Sequence, residues 1–388
     1  MNSTRNVVVV GAGYAGVTAA NRVRAAAPAD VTVTVVNPLP DFVERIRLHE
    51  FAAGTGDATV PLRTLLHPDI RLVTGTVDLI GEHSVTLTDG AAVDFDHLLY
   101  AVGSGPGSAA TVRGIEHAHT VAGLNDAGRL RDRLRTARPD AVVTVVGGGL
   151  TGIETSAEIA DSGRDLRVHL VSAGPVGAGL SDAGRRAVLR KLKRLGVDVH
   201  EGVAATGITP DAVTLADGTA ISTEVAVWAG PFGVPDLARR SGLPVDDLGR
   251  LRTDATLTCL GRPDIVGIGD AVAPPESVAR HLRMSCHAAI PLGAHGADTV
   301  LAALAGQAPT PLSIGLVLQC VSLGRRAGVV QAVHPDDRPR PLVLRGRTAA
   351  FVKERICRST RGWISKKAPT YRAMSGPKSA PEGVEVSA

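Results

Sequence analysis

One pattern of strand, glycine turn and helix occurs twice in this chain, and it constrains the fold more than any other feature. The first turn follows the valine strand at 7–10 and reads Gly11-Ala12-Gly13-Tyr14-Ala15-Gly16. The second follows the strand at 142–146 and reads Gly147-Gly148-Gly149-Leu150-Thr151-Gly152. In such a turn the first glycine permits the sharp bend, the second lets the backbone approach a pyrophosphate, and the third lets helix and strand pack closely.

The repeat predicts two dinucleotide sites in one chain, because the free N–H groups and the dipole at each helix N-terminus can hold a diphosphate. Two such sites indicate electron transfer from one bound dinucleotide to another. A single copy could be an ordinary glycine turn, but that alternative is much weaker for two copies that both stand between a strand and a helix.

Each half of the chain closes with a strand of small and apolar residues, Tyr100-Ala101-Val102-Gly103 in the first half and Trp228-Ala229-Gly230 in the second. After 250 the chain returns to the first unit with a buried strand. We therefore predict an α/β fold of two Rossmann-like domains, the second inserted within the first, followed by a C-terminal α+β region. The predicted boundaries are 1–122 with 250–308 for the first domain, 123–249 for the inserted domain, 309–374 for the C-terminal region and 375–388 for a disordered tail.

Composition narrows the class of protein. A length of 388 residues supports two or three domains, and an aromatic content of 3% argues against stacking platforms for single-stranded nucleic acid. The four cysteines show neither C-x-x-C nor metal-ligand spacing, so no metal site is predicted. No secretory signal precedes the first strand and no apolar run reaches about 18 residues, which favours a cytoplasmic location.

These features together resemble the pyridine nucleotide-disulfide oxidoreductase superfamily of flavoproteins. The resemblance covers residues 5–305 and rests on the paired turns, on the strands that close each half, and on Ile265-Val266-Gly267-Ile268-Gly269-Asp270. It implies FAD in the first domain, NAD(P)H in the inserted domain, and a contact between Asp270 and the FAD ribitol. The alternative for Asp270 is an N-cap of the segment that follows.

Within the superfamily the chain is most similar to type II NADH dehydrogenases and apoptosis-inducing-factor-like oxidoreductases. The first cysteine is Cys259, so the redox cysteine pair of the disulfide reductases and the first-half cysteines of sulfide:quinone oxidoreductases have no counterpart. Glu154 matches the family glutamate that follows the second glycine turn near the nicotinamide, and it is a predicted catalytic residue. The alternative for Glu154 is a solvated acid favoured by the helix dipole.

The resemblance also implies two sets of cofactor-binding residues. Those for FAD are Gly11, Gly13, Tyr14, Ala15, Gly16, Asn37, Arg45, Val77, Ala101, Gly103 and Asp270. Those for NAD(P)H are Gly147, Gly149, Leu150, Thr151, Gly152, Ser172 and Gly230. Asn37 and Ser172 stand where relatives usually carry an acid for the adenosine ribose. Ser172 therefore leaves the choice between NADH and NADPH open.

Two further residues are predicted near the flavin. Arg45 lies in a segment where related enzymes contact FAD and is predicted to bind a phosphate, with a surface salt bridge to Glu44 or Glu50 as the alternative. His287, a predicted catalytic residue, stands where quinone-reducing relatives carry a glutamine signature, and a histidine there could offset the charge of reduced flavin or relay protons. The alternative is a core histidine with satisfied hydrogen bonds, and Cys286 beside it is predicted to be a packing residue.

Basic charge is concentrated near the C-terminus. Residues 338–378 contain twelve Lys or Arg and one acid, Glu354, although the whole chain has a net charge of only +4. Helical spacing places Val352, Ile356 and Trp363 on one face and cations on the other, which is typical of helices that lie on anionic lipid. The alternative is a helix that covers the flavin domain with a solvated charged face. Nucleic acid is not predicted, because no recognised nucleic-acid fold accompanies the charge.

We therefore predict an FAD-dependent NAD(P)H oxidoreductase whose acceptor is a quinone, in the cytoplasm or peripheral on the inner face of the membrane. Hydride passes from NAD(P)H to flavin N5 and the electrons then go to the acceptor, so no protein nucleophile is required. One alternative is a soluble ferredoxin-type reductase whose basic tail docks an acidic carrier protein. Another is a flavin redox sensor with slow turnover. The sequence is compatible with a homodimer but does not decide the oligomeric state.

Overall fold

A computed structural model describes residues 4–107, 112–366 and 374–377 of the chain. The first segment alternates strands and helices. It contains β1 (Arg5–Val10), α1 (Tyr14–Ala26), β2 (Val31–Asn37), β3 (Asp41–Val43), α2 (Leu48–Ala53), β4 (Thr59–Pro61), α3 (Leu62–Leu65), β5 (Arg71–Thr74), β6 (Val77–Ile80), β7 (Ser84–Leu87), β8 (Ala92–Asp94) and β9 (His97–Tyr100).

The second segment repeats this order. It contains β10 (Gly105–Pro106), β11 (His119–Thr120), α4 (Leu124–Arg135), β12 (Ala141–Val146), α5 (Leu150–Ala160), β13 (Leu166–Ser172), α6 (Asp182–Arg194), β14 (Val197–Glu201), β15 (Ala205–Ile208), β16 (Ala212–Leu215), β17 (Ala220–Ser222), β18 (Val225–Trp228) and β19 (Phe232–Gly233).

The chain then returns to the first unit and ends in a hairpin and a helix. The returning elements are α7 (Leu237–Arg240), β20 (Leu251–Arg252), β21 (Thr258–Cys259), β22 (Arg262–Gly267), β23 (Val272–Ala273), α8 (Glu276–Ala279) and α9 (Cys286–Leu304). The C-terminal elements are β24 (Leu318–Ser322), β25 (Gly328–Val333), β26 (Pro339–Arg345) and α10 (Gly346–Ile364).

The first sheet has the strand order β21-β22-β9-β1-β2-β5, and only the β21–β22 pair is antiparallel. Val7 and Val9 of β1 pack with side chains of α1 and α9, whereas Val8 and Val10 pack with those of β6 and β7. Both faces of β1 are therefore buried, which explains its unbroken valine run. The first glycine turn leaves this sheet at the carboxyl end of β1.

The second sheet has the order β11-β18-β12-β13-β14, and all of its strands run parallel. Val143 and Val145 of β12 face a core shared with α4, α5 and α6, whereas Val146 faces the antiparallel strands β15–β17. The second glycine turn leaves at the carboxyl end of β12. The two units therefore follow one plan, and the α/β fold predicted from the repeat is confirmed.

The predicted edges of the inserted domain differ from those in the structure. β11 already belongs to the second sheet, ahead of the predicted start at 123. Leu237 and Leu243 fall within the predicted range 123–249 but lie in the core of the first unit with Tyr100. The chain crosses back directly after the short β10–β19 ribbon, because these leucines bury their side chains against the first sheet.

The described residues of the C-terminal region pack onto the cores of both units. Leu312 and Ile314 join the core around α1 and α9, whereas Val321 and Val329 join the core around α5 and α6. β24, β25 and β26 form an antiparallel sheet, and α10 packs against β25. Of the predicted disordered tail, residues 378–388 lie outside the described part of the chain.

Helix α10 buries one cation of the face that was predicted to be charged. Its buried residues are Ala349, Lys353, Cys357, Thr360 and Ile364. Trp363, which was predicted to lie on the apolar face, is 41% exposed. Helix α10 lies close to β25, because a Cβ on Gly328 of that strand would lie only 3.2 Å from the Ala350 backbone nitrogen. In the described ranges, no helix combines the length and the apolar character that a membrane crossing needs.

Candidate functional site

The two glycine turns have the same geometry. A Cβ on Gly11 would lie 2.4 Å from the Ala101 carbonyl oxygen, and a Cβ on Gly16 would lie 1.9 Å from the Gly11 carbonyl oxygen. A Cβ on Gly13 would meet no atom of the described residues within 4 Å. The first and third glycines are therefore required by packing, whereas the second faces open space beside the helix.

The second turn reproduces these distances. A Cβ on Gly147 would lie 2.3 Å from the Ala229 carbonyl oxygen, and a Cβ on Gly152 would lie 1.8 Å from the Gly147 carbonyl oxygen. Gly149, like its counterpart in the first turn, has no described atom within 4 Å of its Cβ position. The open space at the middle glycine of each turn is the place where a pyrophosphate would approach the backbone.

The helices that follow the turns have free N-terminal N–H groups. Gly13 and Gly149 are the N-caps of α1 and α5, and within the described ranges neither helix has a side-chain cap or an acid in its first turn. Uncapped N–H groups and a positive dipole end favour an anion. Leu150 and Thr151 lie in the first turn of α5, and their predicted contact with NAD(P)H stays a prediction.

Asn37 fastens the end of β2 to the first turn. Its Oδ1 accepts a hydrogen bond from the Ala12 backbone nitrogen at 2.9 Å, and its Nδ2 donates to the Leu39 carbonyl oxygen at 2.7 Å. Both ends of the amide are thus engaged with the protein's own backbone. The predicted contact of Asn37 with the ribose stays a prediction, but its position beside the turn agrees with it.

Asp270 lies at the centre of a polar cluster where the two units meet. Its Oδ2 accepts a hydrogen bond from Ser104 Oγ at 2.7 Å, and Arg45 donates to the Ser104 carbonyl oxygen. Burial raises the pKa of Asp270, and the Ser104 hydrogen bond and the Arg45 charge only partly oppose this. The Arg45 guanidinium carbon lies 5.7 Å from the ring centroid of Phe232. Because Asp270 belongs to a one-turn 3₁₀ helix at Gly269–Ala271, the N-cap alternative finds no support.

The salt bridge considered as the alternative for Arg45 is formed by Arg47. Arg47 lies 3.0 Å from Glu50 and 3.6 Å from Glu44, and it also pairs with Glu354 of α10 at 3.1 Å. Arg45 points the other way, toward Asp270. The two arginines are two positions apart on a short 3₁₀ turn, so their side chains face different sides. The sequence pattern alone did not show which arginine forms the salt bridge.

Three other predicted FAD residues contribute through packing. Tyr14 and Ala15 are 5% exposed and belong to the first core, and the Tyr14 ring meets Phe42 edge to face at 5.0 Å. Val77 is 8% exposed and packs in the core beneath β6–β8. Their side chains pack in the cores of the first unit, and their predicted contacts with FAD stay predictions. Gly103, two positions after Ala101, adopts a left-handed conformation with φ of +69°.

A small cavity lies between the second turn and the segment after β18. Thr151, Trp228, Gly230 and Phe232 line it, together with Thr120. The Trp228 indole folds over Gly230, where a Cβ would lie 2.2 Å from the ring. Trp228 Nε1 is buried, and it has no hydrogen-bond partner among the described residues. A buried donor without a described partner therefore lies beside an uncapped helix N-terminus.

Glu154 is buried in an ion pair, so the alternative of a solvated acid is wrong. Lys353 of α10 donates to Glu154 Oε1, the Ser322 backbone nitrogen donates to the same oxygen at 2.9 Å, and His49 Nδ1 lies 4.0 Å from Oε2. Burial alone would raise the pKa of Glu154, but Lys353 and His49 bring it below its ordinary value. Burial lowers the pKa of His49, which favours its neutral form.

His287 is the second residue of α9 and lies beside the C-terminal sheet. Burial and the Arg283 charge lower its pKa, and the backbone of Leu318 offers it a hydrogen bond. These contacts match the alternative of a satisfied histidine, and the predicted catalytic role of His287 stays a prediction. Burial raises the pKa of Cys286 to about 12, which agrees with a packing residue and not with a nucleophile.

Sequence analysis missed Lys353, Ser104 and Trp228 as members of the site. Lys353 was assigned to a solvated basic face, yet it lies 199 positions from the carboxylate that it neutralises. The small residues four positions before and after it, Ala349 and Cys357, are the signal that could have marked its face as buried. Nothing in the local sequence distinguishes Ser104.

Comparisons with known proteins agree with this geometry. The family model described as pyridine nucleotide-disulphide oxidoreductase matches residues 5–293. An NADH dehydrogenase-like protein of Mycobacterium tuberculosis is 31% identical over 378 residues, covering 90% of this chain and 92% of that protein. A type II NADH:quinone oxidoreductase of the same organism is 28% identical over 354 residues, covering 78% and 73%. The solved sulfide:quinone oxidoreductase of Aquifex aeolicus superposes with a TM-score of 0.77 at 18% identity, covering 94% and 93%.

Proposed function

The chain belongs to the pyridine nucleotide-disulphide oxidoreductase family, and from that premise we propose that it passes electrons from NADH to a quinone at a lipid surface. It is an oxidoreductase with FAD as its cofactor and NAD(P)H as its co-substrate, as the sequence predicts. Its partner is an electron acceptor, either a small molecule or a carrier protein. The quinone and the lipid surface are the proposal.

The residues at the first turn fit FAD. Open space beside Gly13 accommodates a pyrophosphate, the N-terminus of α1 attracts its charge, and the Asp270 carboxylate can accept hydrogen bonds from the ribitol hydroxyls. Bound FAD supplies the two-electron chemistry that no side chain of the protein provides. Arg45, held between Ser104 and Phe232, brings a positive charge to the same cleft.

The main support for a quinone at a lipid surface is helix α10, because this helix connects the buried Lys353–Glu154 ion pair to an exposed apolar surface. On one side Lys353 reaches Glu154, at the start of the nucleotide-binding helix α5. On the other side Phe351 is 68% exposed. A hydrophobic acceptor that arrives from lipid would therefore meet the protein at the helix that also supplies its buried cation.

The surface around α10 combines apolar and basic side chains. Leu342 of β26 is 68% exposed, Leu344 is 40% exposed, and Trp363 is 41% exposed. The same hairpin and helix carry exposed arginines, which are Arg340, Arg345, Arg347, Arg355 and Arg358. Exposed apolar side chains among cations are typical of surfaces that bind anionic lipid. Each cation near such a surface contributes about 1 kcal/mol.

The test measures NADH oxidation by the FAD-loaded protein with a short-chain benzoquinone or with an acidic [2Fe–2S] ferredoxin as acceptor. We expect the quinone to be reduced faster, and vesicles containing anionic lipid to sediment the protein whereas neutral vesicles do not. The double variant Phe351→Ser/Trp363→Ser should lose vesicle binding and keep its affinity for NADH. Leu248→Ser is the control, because Leu248 is 66% exposed in a loop of the first unit.

Three results would contradict the proposal. Faster reduction of the ferredoxin would support the carrier-protein alternative. Slow oxidation of NADH with every acceptor would support the redox-sensor alternative. Equal loss of vesicle binding in the Leu248→Ser variant would show that α10 and β26 are not the lipid-binding surface.

A further inference from the structure

The adenosine end of the inserted nucleotide site carries an ion pair that the sequence pattern does not reveal. Ser172, which stands where an acid usually binds the ribose diol, is paired in register with Glu201 at the end of β14. A Cβ on Gly148 would lie 2.1 Å from Ser172 Oγ, so the Ser172 hydroxyl lies directly over the glycine turn. The ends of β13 and β14 and the second turn therefore meet at one edge of the sheet.

The Glu201 side chain is held by hydrogen bonds against the loop that follows β13. Its Oε1 accepts a hydrogen bond from the Val176 backbone nitrogen at 2.5 Å and another from Arg185 Nη2 at 2.5 Å. Arg185 Nε also donates to the Val176 carbonyl oxygen at 3.1 Å. The Gly177 backbone nitrogen donates to the Gly148 carbonyl oxygen at 2.8 Å, which folds this loop back onto the glycine turn. The ion pair is therefore built into the rim of the nucleotide site.

Both charges of the pair are accessible and present at neutral pH. The side chains of Arg185 and Glu201 are 32% and 28% exposed. Burial acts to raise the pKa of Glu201, but the Val176 amide and the Arg185 guanidinium together bring it below the ordinary value of a glutamate. A nucleotide bound at the second turn thus meets an ionised carboxylate whose guanidinium partner is already engaged.

We propose that Glu201, by repelling a 2′-phosphate and occupying Arg185, makes this site select NADH over NADPH. The inference rests on the proposed use of the inserted domain as the NADH site. NADH presents a 2′-hydroxyl, which Ser172 and Glu201 can accept as a hydrogen-bond donor. NADPH presents a 2′-phosphate, and its negative charge is repelled by Glu201. Arg185 is the cation that would bind this phosphate if Glu201 did not occupy it.

The test is calorimetric titration of the full-length, FAD-loaded protein with NAD⁺ and NADP⁺, two oxidised nucleotides that bind without turnover. We expect the wild type to bind NAD⁺ at least about tenfold more tightly than NADP⁺. Glu201→Gln should tighten NADP⁺ binding by about tenfold and leave NAD⁺ binding within twofold, because Arg185 becomes free to pair with the phosphate. This gain should shrink at high ionic strength, since salt screens the pair.

Two further variants keep the proposal testable. Arg185→Gln should weaken NADP⁺ binding further, because it leaves Glu201 unneutralised. Glu224→Gln is the matched control, since Glu224 also binds two arginines, Arg133 at 3.1 Å and Arg138 at 2.9 Å, but at the start of β18 and not at the turn edge. This control should leave the ratio of the two dissociation constants unchanged.

The outcomes separate this inference from the proposed function. A wild type that binds neither nucleotide would overturn both, because the inserted domain would then not be the nucleotide site. A wild type that binds NAD⁺, combined with an unchanged ratio in Glu201→Gln and Arg185→Gln, would overturn only the selectivity inference. A wild type that prefers NADP⁺ would overturn it as well.

Discussion

Replacing Lys353 with methionine removes the charge that balances Glu154 and nearly preserves the length of the side chain. The side chains of Lys353 and Glu154 are 9% and 14% exposed, so water solvates the remaining carboxylate only weakly. The Ser322 amide would stay at 2.9 Å, and His49 Nδ1, 4.0 Å from the carboxylate, would remain a buried imidazole whose pKa burial lowers. The variant therefore leaves a buried carboxylate with one backbone hydrogen bond and without the lysine charge.

The expected magnitude follows from this burial. Removing one partner of a buried ion pair costs about 3–5 kcal/mol, whereas an exposed pair contributes about 0.2–1 kcal/mol. Because Glu154 keeps its backbone hydrogen bond, we expect Lys353→Met to lower the free energy of unfolding by about 3 kcal/mol at pH 7. A matched exposed pair is Arg167 with Asp140, at 2.8 Å and with 60% and 66% exposure, so Arg167→Met should cost less than about 1 kcal/mol.

The sign of the pH dependence supplies a second check. In the wild type the folded pKa of Glu154 is below its ordinary value, so its stabilising contribution is present at neutral pH and is lost as the pH falls through the folded pKa. Without Lys353, burial dominates and the folded pKa rises. The deficit of Lys353→Met should therefore be largest near neutral pH and shrink as the pH falls through that raised pKa.

The assay is urea unfolding of the FAD-loaded protein, followed by tryptophan fluorescence at several pH values. The double variant Lys353→Met/Glu154→Gln should recover part of the loss, because no unpaired charge stays buried. Equal losses for Lys353→Met and Arg167→Met would refute the reasoning. A double variant less stable than Lys353→Met alone, or a deficit that grows on acidification, would also refute it.

Three other predictions follow from the same contacts. Gly149→Ala should weaken NAD⁺ binding in calorimetry and leave the thermal midpoint unchanged, whereas Gly152→Ala should lower the midpoint by an amount equivalent to at least about 1–3 kcal/mol, because its Cβ would lie 1.8 Å from a carbonyl oxygen. Asn21→Ala should cost about 2–4 kcal/mol in urea unfolding, because the buried Asn21 amide bonds the carbonyl oxygens of residues 65 and 364 at 3.0 and 2.8 Å and accepts the amide of residue 67 at 2.8 Å. Asp270→Asn should raise the thermal midpoint of the cofactor-free protein at pH 7, because burial raises the folded pKa of Asp270 and its ionised form therefore opposes folding. That gain should vanish below the ordinary carboxyl pKa of about 3.9, and an unchanged midpoint at pH 7 would contradict it.

The local sequence pattern was sufficient to predict the two nucleotide-binding units. The paired glycine turns, the valine strands and the elements that follow them are specified by residues within a few positions of one another, and the structure forms them at the predicted places. The resemblance built on them predicted the family, the cofactor and the class of reaction, and these predictions are confirmed.

Long-range packing decided the edges of the inserted domain and the buried face of α10. The inserted domain ends earlier than predicted, because Leu237 and Leu243 pack on the first sheet. The residues around these leucines do not indicate which sheet they pack against. The charged face of α10 was predicted to be solvated, yet Lys353 on that face is buried, because its carboxylate partner Glu154 comes from a distant part of the chain.

By itself, the sequence determined that this chain builds two dinucleotide-binding turns, because a glycine turn between strand and helix depends on local backbone sterics. Only the tertiary structure decided which charges meet. Lys353 reaches Glu154 across 199 positions, and Arg185 reaches Glu201 across 16. Ion pairing depends on distance in space and on exclusion of water, and neither is fixed until the elements pack.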